Sequence, residues 1–222
     1  MGAAANVLQL VPEVSRGTSI APDAAARTLP VLPALADLLP GGGLRRGASY
    51  TVQGSPALAL ALLAGPSAAG SWCAAVGAPA LGMEAAAELG VDLGRLALVP
   101  APGRQWLRVV AVLVDAFDVV LIAPPGQVGD ADARRLAARC ADRGATLVAL
   151  GPWKGAELRF MLTASQWYGL GCGHGHLAGR QVTVTVAHRP VDRLRVTRLW
   201  LPAADGSVRA VADEVPSLRE VG

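Results

Sequence analysis

Gly54 stands where an apolar run meets a helix start, in Tyr50-Thr-Val-Gln-Gly-Ser-Pro-Ala-Leu-Ala-Leu-Ala61. A strand, a glycine turn and a helix N-terminus in that order form the junction at which an open α/β sheet holds phosphate, because backbone amides and the helix dipole converge there. The side chains that such a loop needs are missing. Ala57, Leu58, Ala59 and Leu60 fill the positions where a second glycine, a Lys and a Ser or Thr would cradle phosphate and hold a metal. Lys154 is the single lysine among 20 Lys plus Arg, so no phosphate-binding lysine is available from elsewhere in the chain.

The other reactive residues form no catalytic set. Cys172, His174 and His176 alternate as metal ligands might be imagined to, but zinc sites take their ligands in pairs two to four residues apart and the remaining histidine, His188, supplies no second pair. A glycine-rich hairpin connection accounts better for that segment. Gly54-Ser55-Pro56 lacks the flanking pattern of a nucleophile elbow. Asp115 and Asp118 bracket a helix end, where capping or solvation explains them. The expectation is a protein without enzymatic activity, bound metal or cofactor.

The composition suits a helix-covered sheet. The 222 residues are 52% apolar but 4% aromatic, so the interior of one domain must be built from Ala, Val and Leu packed closely. A net charge of +3 permits contact with nucleic acid without demanding it. Cys73, Cys140 and Cys172 are too few for a disulfide framework, and no secretory signal is evident, which predicts a cytoplasmic protein. Residues 47–83 carry no charge, yet Gly54, Pro56, Gly65, Pro66, Gly70, Gly77 and Pro79 cut them into pieces too short to span a membrane.

Taken in order, residues 1–29 form a tail whose cluster Val7, Leu8, Leu10 and Val11 reads as a frayed terminus or a docking segment. A short helix with Leu35, Leu38 and Leu39 on its apolar face follows Pro33 and stops at Gly41. Predicted next are a strand over 48–53, a helix over 56–64, a strand over 71–76, a helix over 83–89 and a strand over 96–99. The helix over 104–117 is apolar on most of its circumference and should be buried on more than one side. Val119–Ala123 reads as a central parallel strand, Asp130 as the cap of a helix ended by Gly144, and Thr146–Leu150 as another central strand. After Gly151 the strands over 158–165 (with 170 as an alternative end), 181–188 and 194–201 have no room for crossover helices and should run antiparallel at one edge of the sheet. In Gln181-Val-Thr-Val-Thr-Val-Ala187 the valines alternate with polar residues, which predicts one buried and one wet face. Residues 204–222 form a polar tail.

Several phrases in residues 30–203 resemble the RecA-type core: Leu39-Pro-Gly-Gly-Gly-Leu-Arg-Arg-Gly47 before the first strand, Leu89-Gly-Val-Asp-Leu-Gly-Arg-Leu96 before the third, and Phe117-Asp-Val-Val-Leu-Ile122 at the Walker B strand. With Trp167-Tyr-Gly-Leu170 and His176-Leu-Ala-Gly-Arg180, the chain looks most similar to the ImuA and ImuA-prime group of RecA-like proteins. The resemblance implies an α/β fold with a RecA-like core, its parallel central sheet flanked by helices and extended by antiparallel strands at the C-terminal edge. Against that family's pattern, four parts of the ATP machinery are absent. The phosphate loop is degenerate, Gly77-Ala78-Pro79 stands in place of the catalytic glutamate, Ala123-Pro124 ends the Walker B strand, and Gly151-Pro152-Trp153 replaces the γ-phosphate-sensing glutamine. Phosphoryl transfer is almost entirely positioning and electrostatic stabilisation by such groups, so the expectation is a pseudo-ATPase.

What the resemblance implies for function is an accessory role in SOS damage-induced mutagenesis. The protein would bind an ImuB-type inactive Y-family polymerase homologue and, through it, serve an error-prone DnaE-type polymerase in translesion synthesis. Apolar and aromatic anchors for that contact are Trp153, Trp167 and Tyr168, or Val215, Leu218 and Val221 in the tail. The DNA-engaging loop of RecA is reduced to Gly151–Glu157, leaving Arg180, Arg189, Arg193, Arg195 and Arg198 as candidates for weak DNA contact, with the two aromatics as stacking residues. The competing account of those arginines is a solvated basic edge. Alternatives at the level of the whole protein are a nucleotide-hydrolysing RecA relative and a SulA-like inhibitor of cell division.

Overall fold

A computed structural model describes residues 27–170, 175–188 and 193–211. Among the described residues nine strands form one mixed sheet. Its parallel half contains β3 (Ser49–Gln53), β4 (Cys73–Val76), β5 (Leu96–Val99), β6 (Val119–Ile122) and β7 (Thr146–Leu150). The remainder comprises β8 (Leu158–Leu170), β9 (Gly175–His188), β10 (Arg193–Trp200) and β11 (Arg209–Ala210). Their order across the sheet is β11-β10-β9-β8-β3-β7-β6-β4-β5. Separately, β1 (Thr28–Pro30) pairs antiparallel with β2 (Gly43–Arg45). The sheet therefore takes in Arg209 and Ala210, and β1 begins inside what the sequence reads as the N-terminal tail.

Helices α1 (Pro33–Ala36), α2 (Pro56–Ala68) and α3 (Met83–Glu88) cover one face, and α4 (Trp106–Ala116) and α5 (Asp130–Arg143) the other. The two hydrophobic layers divide the alternating residues of the strands: Val119, Leu121 and Val148 point to the first, Val120, Ile122, Leu147 and Ala149 to the second. All four residues of β6 are buried, as a central parallel strand requires. The described parts of the uncharged stretch resolve into β3, the 13-residue α2 and β4, and no helix among the described residues is long and apolar enough to cross a membrane.

Three local expectations change. First, α2 runs through Gly65 and Pro66 to Ala68 instead of stopping at Ala64. The reason is tertiary: a Cβ at Gly65 would stand 2.4 Å from Val31 Cα, so the glycine lets the chain after β1 cross the helix backbone directly. Second, α4 buries Val110, Leu113 and Val114 but leaves Val112 57% exposed, so it has one buried face only. Third, Asp130 is the first helical residue and not the cap, which is Gly129. Its carboxylate accepts from Lys154 Nζ.

The C-terminal strands are not all antiparallel. β8 runs parallel to β3, while β9, β10 and β11 follow antiparallel. A crossover without a helix is feasible because the strands are staggered: Leu150 is level with Val52 and Leu158 with Tyr50, so the chain steps back only two residues while crossing β3. Residues 151–157 make that step on the α4–α5 side. Ser49 Oγ donates to the Gly155 carbonyl at 3.2 Å, Thr51 Oγ1 donates to Gly151, and Trp153 packs into the second layer. The buried hydroxyls of β3 thus find acceptors in the loop that passes over them. In β9, Val182, Val184 and Val186 are buried on the α2 side, and the predicted alternation is borne out.

Candidate functional site

In an open α/β sheet the ligand crevice lies beyond the carboxyl ends of the parallel strands, so the loops after β3, β4, β6 and β7 are where chemistry belongs. The β3 loop closes on itself. Gly54 turns with φ +82°, Ser55 caps α2 by accepting from the Leu58 N–H at 3.1 Å, and Pro56 occupies the first helical turn without an N–H to offer. Leu58, Ala59 and Leu60 are buried, with Ala57 packed against the same layer. On the outside, a Cβ at Gly54 would lie 3.4 Å from the Leu162 carbonyl oxygen of β8. A donor that an anion would need is therefore engaged with a side chain of the loop itself.

The neighbouring loops are equally apolar. Gly77 has φ +74°, and a Cβ there would sit 2.4 Å from the Ala123 carbonyl oxygen. The ends of β4, β5 and β6 are that close: Gly77 N–H donates to Val99 of β5 and Ala123 N–H to Val76 of β4. Beyond β7, Trp153 is 4% exposed, and its Nε1 is a buried polar atom without a partner among the described residues. Trp153 lies in the core and not on the surface where a partner anchor is needed. The one lysine, Lys154, is bound to Asp130. Burial pushes the Tyr50 phenol up to about 12, while its oxygen accepts from the Arg45 N–H at 2.7 Å. Burial, with the Asp118 charge adding to it, also pushes the Cys73 thiol up to about 12, so this thiol is not a ready nucleophile.

The exposed chemistry is on the arm formed by β8 and β9. From Thr163 onward β8 is exposed. Trp167 and Tyr168 are 47% and 38% exposed, and Leu170 and Leu177 are also open. Successive residues of a strand point to opposite faces, and these two aromatics separate accordingly. Trp167 lies under the Arg180 guanidinium, 5.5 Å from the ring centroid, and Arg180 Nε donates to Ser165 at 3.0 Å. Tyr168 meets Trp200 edge-on at 5.0 Å and its hydroxyl donates to Gln181 Oε1 at 3.1 Å. The arginines divide in the same way. Arg195 lies opposite Val186 on the α2 side and donates to the Asp37 carbonyl, whereas Arg198 lies opposite Thr183 and engages a partner of its own. Arg193 stands at the start of β10 opposite His188. The structure thus brings Trp167 together with Arg180, and it sets Arg195 and Arg198 on opposite faces of the sheet.

Arg189, Cys172, His174, Val215, Leu218 and Val221 lie outside the described residues. Among the described residues, no group of three His, Cys, Asp or Glu side chains is placed to share a metal ion. The residues that sequence reasoning missed are Ser49 and Thr51. Their polar-apolar alternation with Tyr50 and Val52 was the available signal, and it resembles a half-wet strand.

Residues 37–155 match the family model described as the MT3502 N-terminal domain. The chain belongs to that family. The match covers the parallel half from the end of α1 to the crossover and stops before the arm. A relative in Mycobacterium tuberculosis, the uncharacterized protein Rv3395c, is 43% identical over 77 residues. That alignment takes in 34% of this chain and 38% of the relative, so the chain spans well under two thirds of the relative's length.

Proposed function

We propose that this protein is a non-catalytic, RecA-like accessory subunit of the ImuA and ImuA-prime type. It acts in an error-prone translesion synthesis complex by binding an ImuB-type protein. The observation that carries this reading is the state of the β3–α2 junction. Ser55 takes the amide of Leu58, Pro56 offers none, and the backbone of Leu162 lies against Gly54. The loops after β4 and β6 add no carboxylate, so neither phosphate nor a metal has a charged partner there. Binding then falls to exposed aromatic surface, of which the β8–β9 arm carries the most.

Two measurements test it. Calorimetry with Mg²⁺ and ATP is expected to give no binding heat; binding that a bulky replacement of Gly54 abolishes would establish a nucleotide site there and overturn this reading. Co-purification with the ImuB-type protein is expected to succeed for the full chain and to weaken on Trp167→Ala or Tyr168→Ala. Because the two rings occupy opposite faces of the arm, the more damaging substitution identifies the docking face. Undiminished binding by both variants removes the arm from the interface.

A further inference from the structure

α4 and α5 are both crossovers between parallel strands, so they run side by side in the same direction on the outside of the second layer. Near their C-terminal ends they are tied together: Asp115 of α4 accepts from Arg139 Nε at 2.9 Å and pairs with Arg143 at 3.1 Å. Ahead of that tie a groove opens, a cavity of about 240 Å³ with an apolar floor. Leu136 is buried there, and Leu107 and Ala111 are half-buried. Arg108, Arg135 and Arg139 border it, together with one carboxylate, Asp132. Arg139 is committed to Asp115, but Arg135 reaches Asp132 only at 3.5 Å, with its side chain 81% exposed. Arg108 is exposed and has no hydrogen-bond or ion-pair partner among the described residues.

A hydrocarbon floor between two weakly engaged guanidinium groups restricts the ligand by size and by charge. A protein cavity of about 150 Å³ holds a benzene molecule, and sites for drug-sized ligands start near about 300 Å³, so this groove fits one aromatic side chain and is small for a cofactor. Guanidinium groups on its border bind carboxylates through paired hydrogen bonds, which asks for acidic residues on either side of that ring. Nucleic acid fits less well, because Asp132 on the border repels a phosphate chain, whereas its carboxylate can accept a main-chain N–H from a peptide. We propose that the α4–α5 groove docks an acidic segment of a partner protein, with one aromatic side chain seated on Leu107, Ala111 and Leu136 and the flanking carboxylates held by Arg108 and Arg135. An aromatic anchor desolvated in a pocket and surrounded by polar contacts is where interface energy concentrates. The groove is separate from the β8–β9 arm, so the inference does not depend on what the arm binds.

Fluorescence anisotropy of the full chain with a fluorescein-labelled peptide, Asp-Glu-Asp-Phe-Glu-Asp, tests it. Saturable binding is expected. Replacing the peptide's phenylalanine by alanine, or its acidic residues by Asn and Gln, is expected to weaken binding at least about tenfold. On the protein side, Arg108→Glu together with Arg135→Glu is expected to weaken it by a similar factor. Both arginines are exposed, so this variant should keep the parent's thermal midpoint, and its loss of binding then reports the groove. Arg180→Glu together with Arg209→Glu makes the same change in net charge on β9 and β11, and this protein is expected to bind as the parent does. No saturable binding up to about 1 mM, equal binding of the alanine or amide peptide, or equal losses in the two charge-reversed proteins overturns the proposal. So does tighter binding of a single-stranded oligonucleotide that the Arg108→Glu and Arg135→Glu changes abolish, which would assign the groove to nucleic acid.

Discussion

Replacing Gly65 by alanine tests the packing of α2 most directly, because two well-measured effects oppose each other there. In an unencumbered helix interior the change should stabilise by about 1 kcal/mol, the difference in helix propensity. Here the added Cβ would lie 2.4 Å from Val31 Cα, 2.6 Å from Val31 C and 2.7 Å from the Pro30 carbonyl oxygen. Ordinary carbon contacts begin near 3.5 Å, so helix and crossing segment must part by roughly 1 Å. Neither side gives easily. β1 is held to β2 by the pairs Thr28–Arg45, Leu29–Leu44 and Pro30–Gly43, and Leu29 and Leu44 are buried. Overpacking against backbone costs about 3 kcal/mol or somewhat more, leaving a net destabilisation of about 2 kcal/mol after the propensity gain. In urea this lowers the unfolding midpoint by about 1 M at an m-value of about 2 kcal/mol/M. Gly82→Ala is the control, since its Cβ would find only Ala85 Cβ at 3.6 Å, and a change within about 0.5 kcal/mol is expected. A Gly65→Ala protein as stable as the parent, or more so, would refute the argument that the chain after β1 presses on α2.

Three further outcomes follow from the geometry. Thr51→Val keeps the shape but removes the donor to the part-buried Gly151 carbonyl, and denaturation should register a loss of about 1 kcal/mol. Asp115 is held below the usual carboxylate range first by its hydrogen bond to Arg139, with Arg143 adding to it. A carboxylate depressed in the folded state contributes stability above its unfolded value and loses it as pH falls through the folded one. Asp115→Asn should therefore cost stability near neutrality, under about 1 kcal/mol for a pair this exposed. Thermal melts should show that deficit closing below about pH 4. Tyr50, raised to about 12 by burial, stays neutral when folded. Its unfolded form ionises from about pH 10, so the parent should lose stability between those values and Tyr50→Phe should lose less.

How much of this was legible in the sequence depends on whether the controlling contact is local. The order of strands and helices from Ser49 through Leu150, the glycine stops at Gly90 and Gly144, and the valine alternation of β9 could all be read, because hydrophobic period and turn chemistry are local properties; the β1–β2 pair could not. The extent of α2 could not: Gly65-Pro66 carries a breaker's signature, and only the approach of Val31 explains why a glycine is needed inside a continuing helix. The direction of β8 was misjudged for a related reason. A short connection normally means an antiparallel neighbour, but the stagger of β7 and β8 about β3 is set by their registers, which composition does not reveal. Of the candidate site, the missing groups around Gly54 were plain from residue types. The division of Trp167 from Tyr168 could have been drawn from strand alternation alone, whereas the burial of Trp153 depends on where the crossover lies.

That crossover also sets an order on assembly. Thr51 and Gly151 are 100 residues apart, and β3 finds its sheet neighbours only in β7 and β8. Until the segment after Thr146 is available, the N-terminal strand that seats α2 has no hydrogen-bonding partner in the sheet, and α2's apolar circumference has an incomplete floor. Loop closure over such a distance slows folding and prolongs exposure of apolar surface. A chain emerging from the ribosome therefore leaves β3 unpaired in the sheet, and α2 short of part of its cover, until β7 and β8 have been made.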